Sequence, residues 1–324
     1  MLRQRAAYPL AHDRRRSAGR LWWALCALVL SLSSPAGAAQ SASNGLSVFV
    51  SVLPLATFAE RVGGERAQVH TMVQPGHSPA TYEPTPRQIT ALADADLYLR
   101  VGAPFEDAWM KRIRAINPDM RVVDLRKGLG LRAQPKHDHD RGDSHHHRPD
   151  QPAMDHHIWT SPQLVRQMAE TIRDAFSELD PAGADTYAAN QAAFDAELAA
   201  LDAQLHKRLS GLENRSFLVY HPAWGYFADA YDLTQVPIEQ EGKEPGARRL
   251  TALIEQAREE GARVILVQPQ FDQRAAEQVA RAIDGRVETI DPLSPNYAAT
   301  LRRLADILLA ADSGAAATEE AQAP

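Results

Sequence analysis

Cysteine is almost absent from this chain of 324 residues, because Cys26 is its only one. A single cysteine excludes an intramolecular disulfide, and its place near the N-terminus leaves the body of the chain without a thiolate. Zinc sites built from several cysteines are therefore excluded as well. Any tight transition-metal site in the body must be built from His, Asp and Glu side chains.

Long hydrophobic runs are lacking too. The apolar run over residues 21–32 has about a dozen residues, short of the roughly 20 that a membrane-spanning helix needs. It follows a cluster of arginines and precedes a small-residue cleavage pattern at residues 36–38. This arrangement predicts a signal peptide over residues 1–38 that is cleaved on export to the periplasm. A retained membrane helix and a lipid anchor at Cys26 are the alternatives.

Positive charge is scarce outside this N-terminal segment. The whole chain carries a net charge of −6, but residues 1–38 hold six Arg against one Asp, so the remainder has 29 basic and 40 acidic residues, or −11. An acidic body argues against nucleic acid as a partner and is compatible with a cation as ligand. The share of apolar residues, 44%, is that of a globular protein, and the length suggests two domains or one bilobal unit.

Segments rich in β-branched residues alternate with amphipathic segments, which predicts an α/β fold with mostly parallel sheets. Between two such series, apolar residues recur at three- and four-residue steps from Tyr187 to Leu209, which predicts a long linker helix. We therefore expect two Rossmann-like lobes joined by this helix, with a ligand site in the cleft between them. The expected boundaries are an N-terminal lobe over residues 45–160, linker helices over 161–212, a C-terminal lobe over 213–311 and a disordered tail over 312–324.

Residues 136–152 interrupt the alternation. They contain no aliphatic residue and no Phe, Tyr or Trp, but five histidines: His137, His139, His145, His146 and His147. A segment of this composition cannot bury enough surface to offset the cost of ordering, so we expect a mobile loop. It is either a weak auxiliary metal site or a solvated linker.

Four polar residues stand where strands and loops of the predicted sheets should meet the cleft. His221 and Asp291 each directly follow a strand. His77 lies in the loop after another strand, and His157 precedes a helix. Because ligands of open α/β sheets bind outside the carboxyl ends of the strands, the two lobes could bring three imidazoles and one carboxylate together. Such a set suits four-coordinate Zn²⁺, although each residue alone could equally be a hydrogen-bonded or surface side chain.

Five short segments carry a resemblance to a known family. In chain order they are Pro75-Gly-His-Ser-Pro-Ala-Thr-Tyr-Glu-Pro84, Asp155-His-His-Ile-Trp-Thr-Ser-Pro162, Tyr220-His-Pro-Ala-Trp-Gly-Tyr-Phe227, Ile265-Leu-Val-Gln-Pro-Gln-Phe271 and Ile290-Asp-Pro-Leu293. Together they resemble the motifs of the periplasmic metal-binding proteins of zinc and manganese ABC importers, solute-binding protein family 9. The resemblance extends from about Val48 to Leu309, and the His-rich segment is typical of the zinc-handling members.

The resemblance also implies the metal ligands, with one departure. The positions that match the family's ligands are His157, His221 and Asp291. In the first motif the family's His position is Ala80 here, and we expect His77 to replace that ligand. Otherwise the site has three protein ligands and water, or takes a ligand from the His-rich loop. A second departure is Gln268, where relatives often carry Glu.

By this resemblance the chain is a periplasmic zinc-binding protein and not an enzyme. It would capture Zn²⁺, its transported ligand, and deliver it to an inner-membrane ABC permease, as a monomer and without nucleic acid. The imidazole of His221 favours zinc, because manganese-selective relatives often have Glu there; manganese is the alternative metal. The alternative functions are a periplasmic zinc chaperone or buffer without a permease, and a zinc hydrolase with a three-ligand site.

Overall fold

The computed structural model describes residues 45–134, 154–239 and 245–320. The strands of these residues are β1 Leu46–Val50, β2 Ala67–Thr71, β3 Leu97–Arg100, β4 Arg121–Asp124, β5 Ser216–Val219, β6 Thr234–Pro237, β7 Val264–Val267 and β8 Arg286–Thr289. The helices are α1 Leu53–Gly63, α2 Pro86–Leu92, α3 Pro104–Ile116, α4 Pro162–Leu179, α5 Ala184–Leu209, α6 Gly225–Ala230, α7 Ala247–Glu259, α8 Arg274–Ala282 and α9 Tyr297–Glu320.

The strands form two four-stranded sheets with the same topology. The first has the order β2-β1-β3-β4 and the second the order β6-β5-β7-β8. All pairs within both sheets are parallel. Helices connect successive strands, as parallel pairing requires. The predicted α/β fold of two parallel-sheet lobes is confirmed.

This strand order determines where a ligand can bind. In the first sheet β1 lies between β2 and β3, and in the second sheet β5 lies between β6 and β7. The connections that leave neighbouring strands therefore run in opposite directions at the β1–β3 and β5–β7 pairs. The crevice outside the carboxyl ends at such a point is the usual ligand site of open α/β sheets. In the second sheet this point lies between β5 and β7.

The long helix α5 joins the two lobes, as the sequence predicts. Its 26 residues correspond to about 39 Å. Every member of its apolar stripe is buried: Tyr187, Gln191, Phe194, Leu198, Leu201, Leu205 and Leu209. The stripe belongs to a hydrophobic core that also takes in residues of both sheets and of α9. A smaller core fills the other face of the second sheet.

The end of the chain differs from the expectation. The sequence predicts disorder from Asp312, whereas α9 continues to Glu320. Ala and Glu, which dominate this stretch, are among the best helix formers, so its composition also favours a helix. The predicted signal peptide, residues 1–38, and the His-rich segment, residues 136–152, lie outside the described residues. Where the structure is described, none of the helices combines the length and apolar character of a membrane span.

Candidate metal centre

His221 lies two residues beyond Val219, the last residue of β5. It therefore sits at the crevice where the sheet order reverses. The side-chain amide of Gln268, just after β7, accepts a hydrogen bond from the His221 N–H at 3.4 Å and donates one to the His221 carbonyl at 3.0 Å. These bonds hold the backbone of His221 against the neighbouring strand, so Gln268 contributes to the site through the position of His221.

A buried carboxylate holds the ring of His221. Glu239 follows β6 and is 3% exposed, and its Oε1 lies 2.5 Å from Nδ1 of His221. Because a carboxylate only accepts hydrogen bonds, Nδ1 carries the proton. The other ring nitrogen, Nε2, then presents a lone pair.

A second buried carboxylate holds His157 in the same way. Oδ1 of Asp155 accepts hydrogen bonds from the backbone N–H of His157 at 2.9 Å and from its Nδ1 at 2.7 Å. Burial alone would raise the pKa of Asp155, but His157 and the hydrogen bonds hold it below its ordinary value. Asp155 is therefore ionised at neutral pH, and Nε2 of His157 also presents a lone pair.

The two imidazoles meet through these lone pairs. Nε2 of His157 and Nε2 of His221 are 3.3 Å apart, and lone pairs that face each other repel unless a cation or a proton lies between them. In a tetrahedral zinc shell with Zn–N bonds of about 2.0–2.1 Å, two nitrogens are about 3.3–3.4 Å apart. The pair thus has the separation of one edge of a zinc tetrahedron. Phe271 stacks on the ring of His221, and Trp159 meets that of His157 edge-on, so each imidazole packs against an aromatic ring.

Asp291 lies beyond the end of β8 and is held by an amide. Nε2 of Gln270 is 3.2 Å from both carboxylate oxygens, and the N–H of Leu293 donates to Oδ1 at 2.9 Å. The carbonyl of Pro292, which directly follows Asp291, accepts a hydrogen bond from Nε1 of Trp159 at 2.9 Å. The segment that carries Asp291 is therefore attached to the aromatic side chain that covers His157.

His77 is exposed in the loop between β2 and α2. Its ring packs edge-on against Tyr82, with the ring centroids 5.7 Å apart. Ala80, which stands where the family has a histidine, is exposed in the same loop. The structure thus brings His157 and His221 together but leaves His77 and Asp291 apart from them. Within the described ranges no group of three His, Asp or Glu side chains could hold a metal ion, so the four-residue ligand set stays a prediction.

The sequence reasoning did not single out Asp155 or Glu239, although both are part of the site. Asp155 stands inside the second motif, two residues before His157. Glu239 stands beyond the end of β6, at the same edge of the sheet as His221. The rule that pointed to His221, a polar residue following a strand, could have found Glu239 too.

Burial of the imidazoles makes the metal-free protein sensitive to acid. Burial lowers the pKa of His157 below its ordinary 6.5, against the opposing effect of Asp155. Burial and the nearby His157 lower the pKa of His156 well below 6.5. Below pH 6.5 the unfolded chain therefore binds protons at these rings that the folded chain does not. The free energy of unfolding must then fall as the pH drops from 6.5 towards the lowered pKa values.

We expect the metal-free protein to melt at a lower temperature at about pH 5.5 than at about pH 7.5. The variant His156→Ala, which removes one of the two rings, should show a smaller difference between these two melting temperatures. Thermal unfolding followed by circular dichroism measures both. If His156→Ala has the pH dependence of the wild type, the ring of His156 does not titrate as described.

Comparisons with known proteins show the family of this chain. The model of the ZnuA family, "Zinc-uptake complex component A periplasmic", matches residues 48–311. The high-affinity zinc uptake system protein ZnuA of Yersinia pestis is 28% identical over 286 residues, 83% of this chain and 88% of that protein. The zinc-binding lipoprotein AdcA of Streptococcus pneumoniae is 28% identical over 276 residues, but the chain spans only 54% of its length. A crystal structure of ZnuA superposes with a TM-score of 0.77 at 37% identity, covering 83% of this chain and 99% of that one. The chain belongs to the ZnuA family of periplasmic components of zinc-uptake complexes.

Proposed function

We propose that this chain captures Zn²⁺ in the periplasm and delivers it to an inner-membrane ABC permease. The observation that carries the proposal is the pair of imidazoles, His157 and His221. Their Nε2 atoms are 3.3 Å apart, and a buried carboxylate holds each Nδ1. Carboxylate–imidazole pairs of this kind orient the histidine ligands of metal sites and raise their basicity. The Yersinia pestis relative is named a high-affinity zinc uptake system protein, which supports zinc as the ion.

Asp291 and His77 complete the ligand set in this proposal. The carboxylate of Asp291 is bound by an amide at 3.2 Å, longer than the usual charge-assisted hydrogen bond. Exchange of that amide for a cation therefore costs little. His77 lies on an exposed loop, and its ring packs against Tyr82. A shift of this loop would release the imidazole from Tyr82 so that it could bind the ion.

A shell of four protein ligands leaves no position for water, and it therefore favours holding an ion over hydrolysis. We infer that the chain is not an enzyme. It acts as a monomer, without nucleic acid, after export by the signal peptide predicted over residues 1–38. A zinc chaperone or buffer would differ only in lacking the permease. Zinc uptake into vesicles that carry the permease, with and without the loaded protein, distinguishes the two.

The proposal is tested by competitive titration of the metal-stripped full chain with Zn²⁺ and with Mn²⁺, against a chelator of known affinity. We expect one tight zinc site per protein molecule and weaker binding of manganese, because imidazole is a better ligand for zinc than for manganese. The absence of a tight zinc site, or a preference for manganese, would refute zinc capture.

The role of His77 is tested by its replacement with alanine. We expect His77→Ala to weaken zinc binding at least about tenfold, because it removes one imidazole from the shell. His70→Ala is a matched control, since His70 is also exposed and packs against a single aromatic ring, that of Phe49. If the two variants bind zinc equally well, His77 does not replace the ligand missing at Ala80.

A further inference from the structure

Glu239 is buried, and among the described residues only one of its carboxylate oxygens has a hydrogen-bond partner. It is 3% exposed, and Oε1 accepts the hydrogen bond from Nδ1 of His221. Within the described part of the chain, Oε2 has no hydrogen-bond partner, although it is buried. A half-satisfied buried carboxylate is costly, and such a group in a native structure calls for an explanation.

The sheet itself places Glu239 beside His221. In the parallel pair of β5 and β6, Val219 is opposite Pro237, so continuing the register by two residues sets His221 opposite Glu239. Backbone hydrogen bonds continue the ladder over this distance: the Ile238 N–H donates to the Val219 carbonyl at 2.8 Å, and the Glu239 N–H donates to the Tyr220 carbonyl at 3.1 Å. The carboxylate therefore reaches Nδ1 from a rigid position, not from a flexible loop.

From this geometry we propose that Glu239 is a positioning residue that makes the site selective for zinc. The proposal rests on the function proposed above. Glu239 keeps the proton of His221 on Nδ1 and so aims the lone pair of Nε2 at the ion. A nitrogen ligand held in this orientation benefits zinc more than manganese, which prefers oxygen.

The carboxylates behind the two histidines are not equivalent. Asp155 accepts two hydrogen bonds from His157 and also faces Arg132, with Oδ2 3.9 Å from its Nε. Among the described residues, the ion-pair partner of Glu239 is His221. A change at Glu239 therefore disturbs fewer described contacts than a change at Asp155. This difference makes Glu239 the residue on which to test the proposal.

The test is the isosteric variant Glu239→Gln. An amide carries no charge, and when its NH₂ group faces Nδ1 it moves the ring proton to Nε2, the atom that should bind zinc. We expect zinc binding to weaken ~10–100-fold, and manganese binding to weaken less. The metal-free variant should melt at the same temperature as the wild type or higher, because a half-satisfied buried charge has been removed.

The control is Glu277→Gln, the same change on the exposed side of α8. Glu277 is half exposed, 3.7 Å from Arg281 in an ion pair within its own helix, so we expect no change in metal affinity. A purely structural role of Glu239 predicts a different pattern: a lower melting temperature of the metal-free variant and equal losses for both ions. That pattern, or wild-type zinc affinity in Glu239→Gln, would overturn the proposal. A wild-type chain without tight zinc binding would overturn the proposed function itself.

Discussion

Replacing either His157 or His221 with alanine is expected to weaken zinc binding by more than ~100-fold. The binding free energy of a four-ligand structural zinc site is about 10–16 kcal/mol, so one ligand accounts for roughly 3 kcal/mol, and each 1.4 kcal/mol is a factor of ten in affinity. Removal of the imidazole also leaves a buried carboxylate without its partner, Asp155 in one case and Glu239 in the other. Competitive titration of each metal-stripped variant against a chelator measures the loss.

A third histidine gives the control for both variants. His206 lies in the last turn of α5 with its side chain 51% exposed, and its ring packs against Tyr231. His206→Ala removes the same side chain from a place outside the crevice, so its zinc affinity should equal that of the wild type. If His157→Ala or His221→Ala binds zinc as tightly as His206→Ala, the imidazole pair is not the zinc site.

The fold could be predicted from local patterns because its elements have strong ones. The stripe from Tyr187 to Leu209 has helical spacing over its whole length, and each of its members is buried in the structure. The order of strands in each sheet could not be predicted, because it depends on pairing between distant segments. β1, for example, pairs with β3 almost 50 residues away, Val48 opposite Leu97. The C-terminal boundary is also hard to predict, because the Ala- and Glu-rich stretch after Asp312 suits both a helix and a tail.

The site was predictable in part, for a related reason. His157 and His221 meet because the carboxyl ends of strands and their neighbouring loops converge at one crevice, and this rule can be applied to a sequence. Glu239 could not be assigned to His221 in advance, because the contact depends on the register of β5 and β6. The placement of His77 depends on a loop without a regular hydrogen-bond pattern, and sequence spacing does not determine such a conformation.

Replacing Asp155 with alanine is expected to lower both the stability of the metal-free protein and its affinity for zinc. Asp155 is 3% exposed and accepts hydrogen bonds from the backbone and the ring of His157. Its other oxygen faces Arg132. Alanine leaves the N–H and the imidazole of His157 buried without this partner, and each unsatisfied buried donor costs about 1–3 kcal/mol. Loss of the carboxylate behind a ligand weakens metal binding ~10–100-fold.

Asp229 provides a matched control, because its carboxylate also faces Arg132. Oδ2 of Asp229 lies 3.6 Å from Nε of Arg132, but the side chain of Asp229 is 57% exposed. Asp229→Ala should cost less than about 1 kcal/mol, as exposed ion pairs do, and should leave zinc affinity unchanged. Urea unfolding of the metal-free variants compares the two losses. Equal losses would mean that Asp155 only balances the charge of Arg132, whereas a larger loss with weaker zinc binding means that it also holds His157.

A glycine beside this cluster allows an independent test of the same contact. A Cβ on Gly225 would overlap Nη1 of Arg132 and lie 3.0 Å from Oδ2 of Asp155, so Gly225→Ala must push the guanidinium away. The backbone and ring hydrogen bonds of His157 to Oδ1 are not displaced by this change. Gly225→Ala should therefore lose part of the stability that Asp155→Ala loses, but retain most of the zinc affinity. Zinc affinity as low as that of Asp155→Ala would show that Arg132, and not the carboxylate alone, holds the imidazole in place.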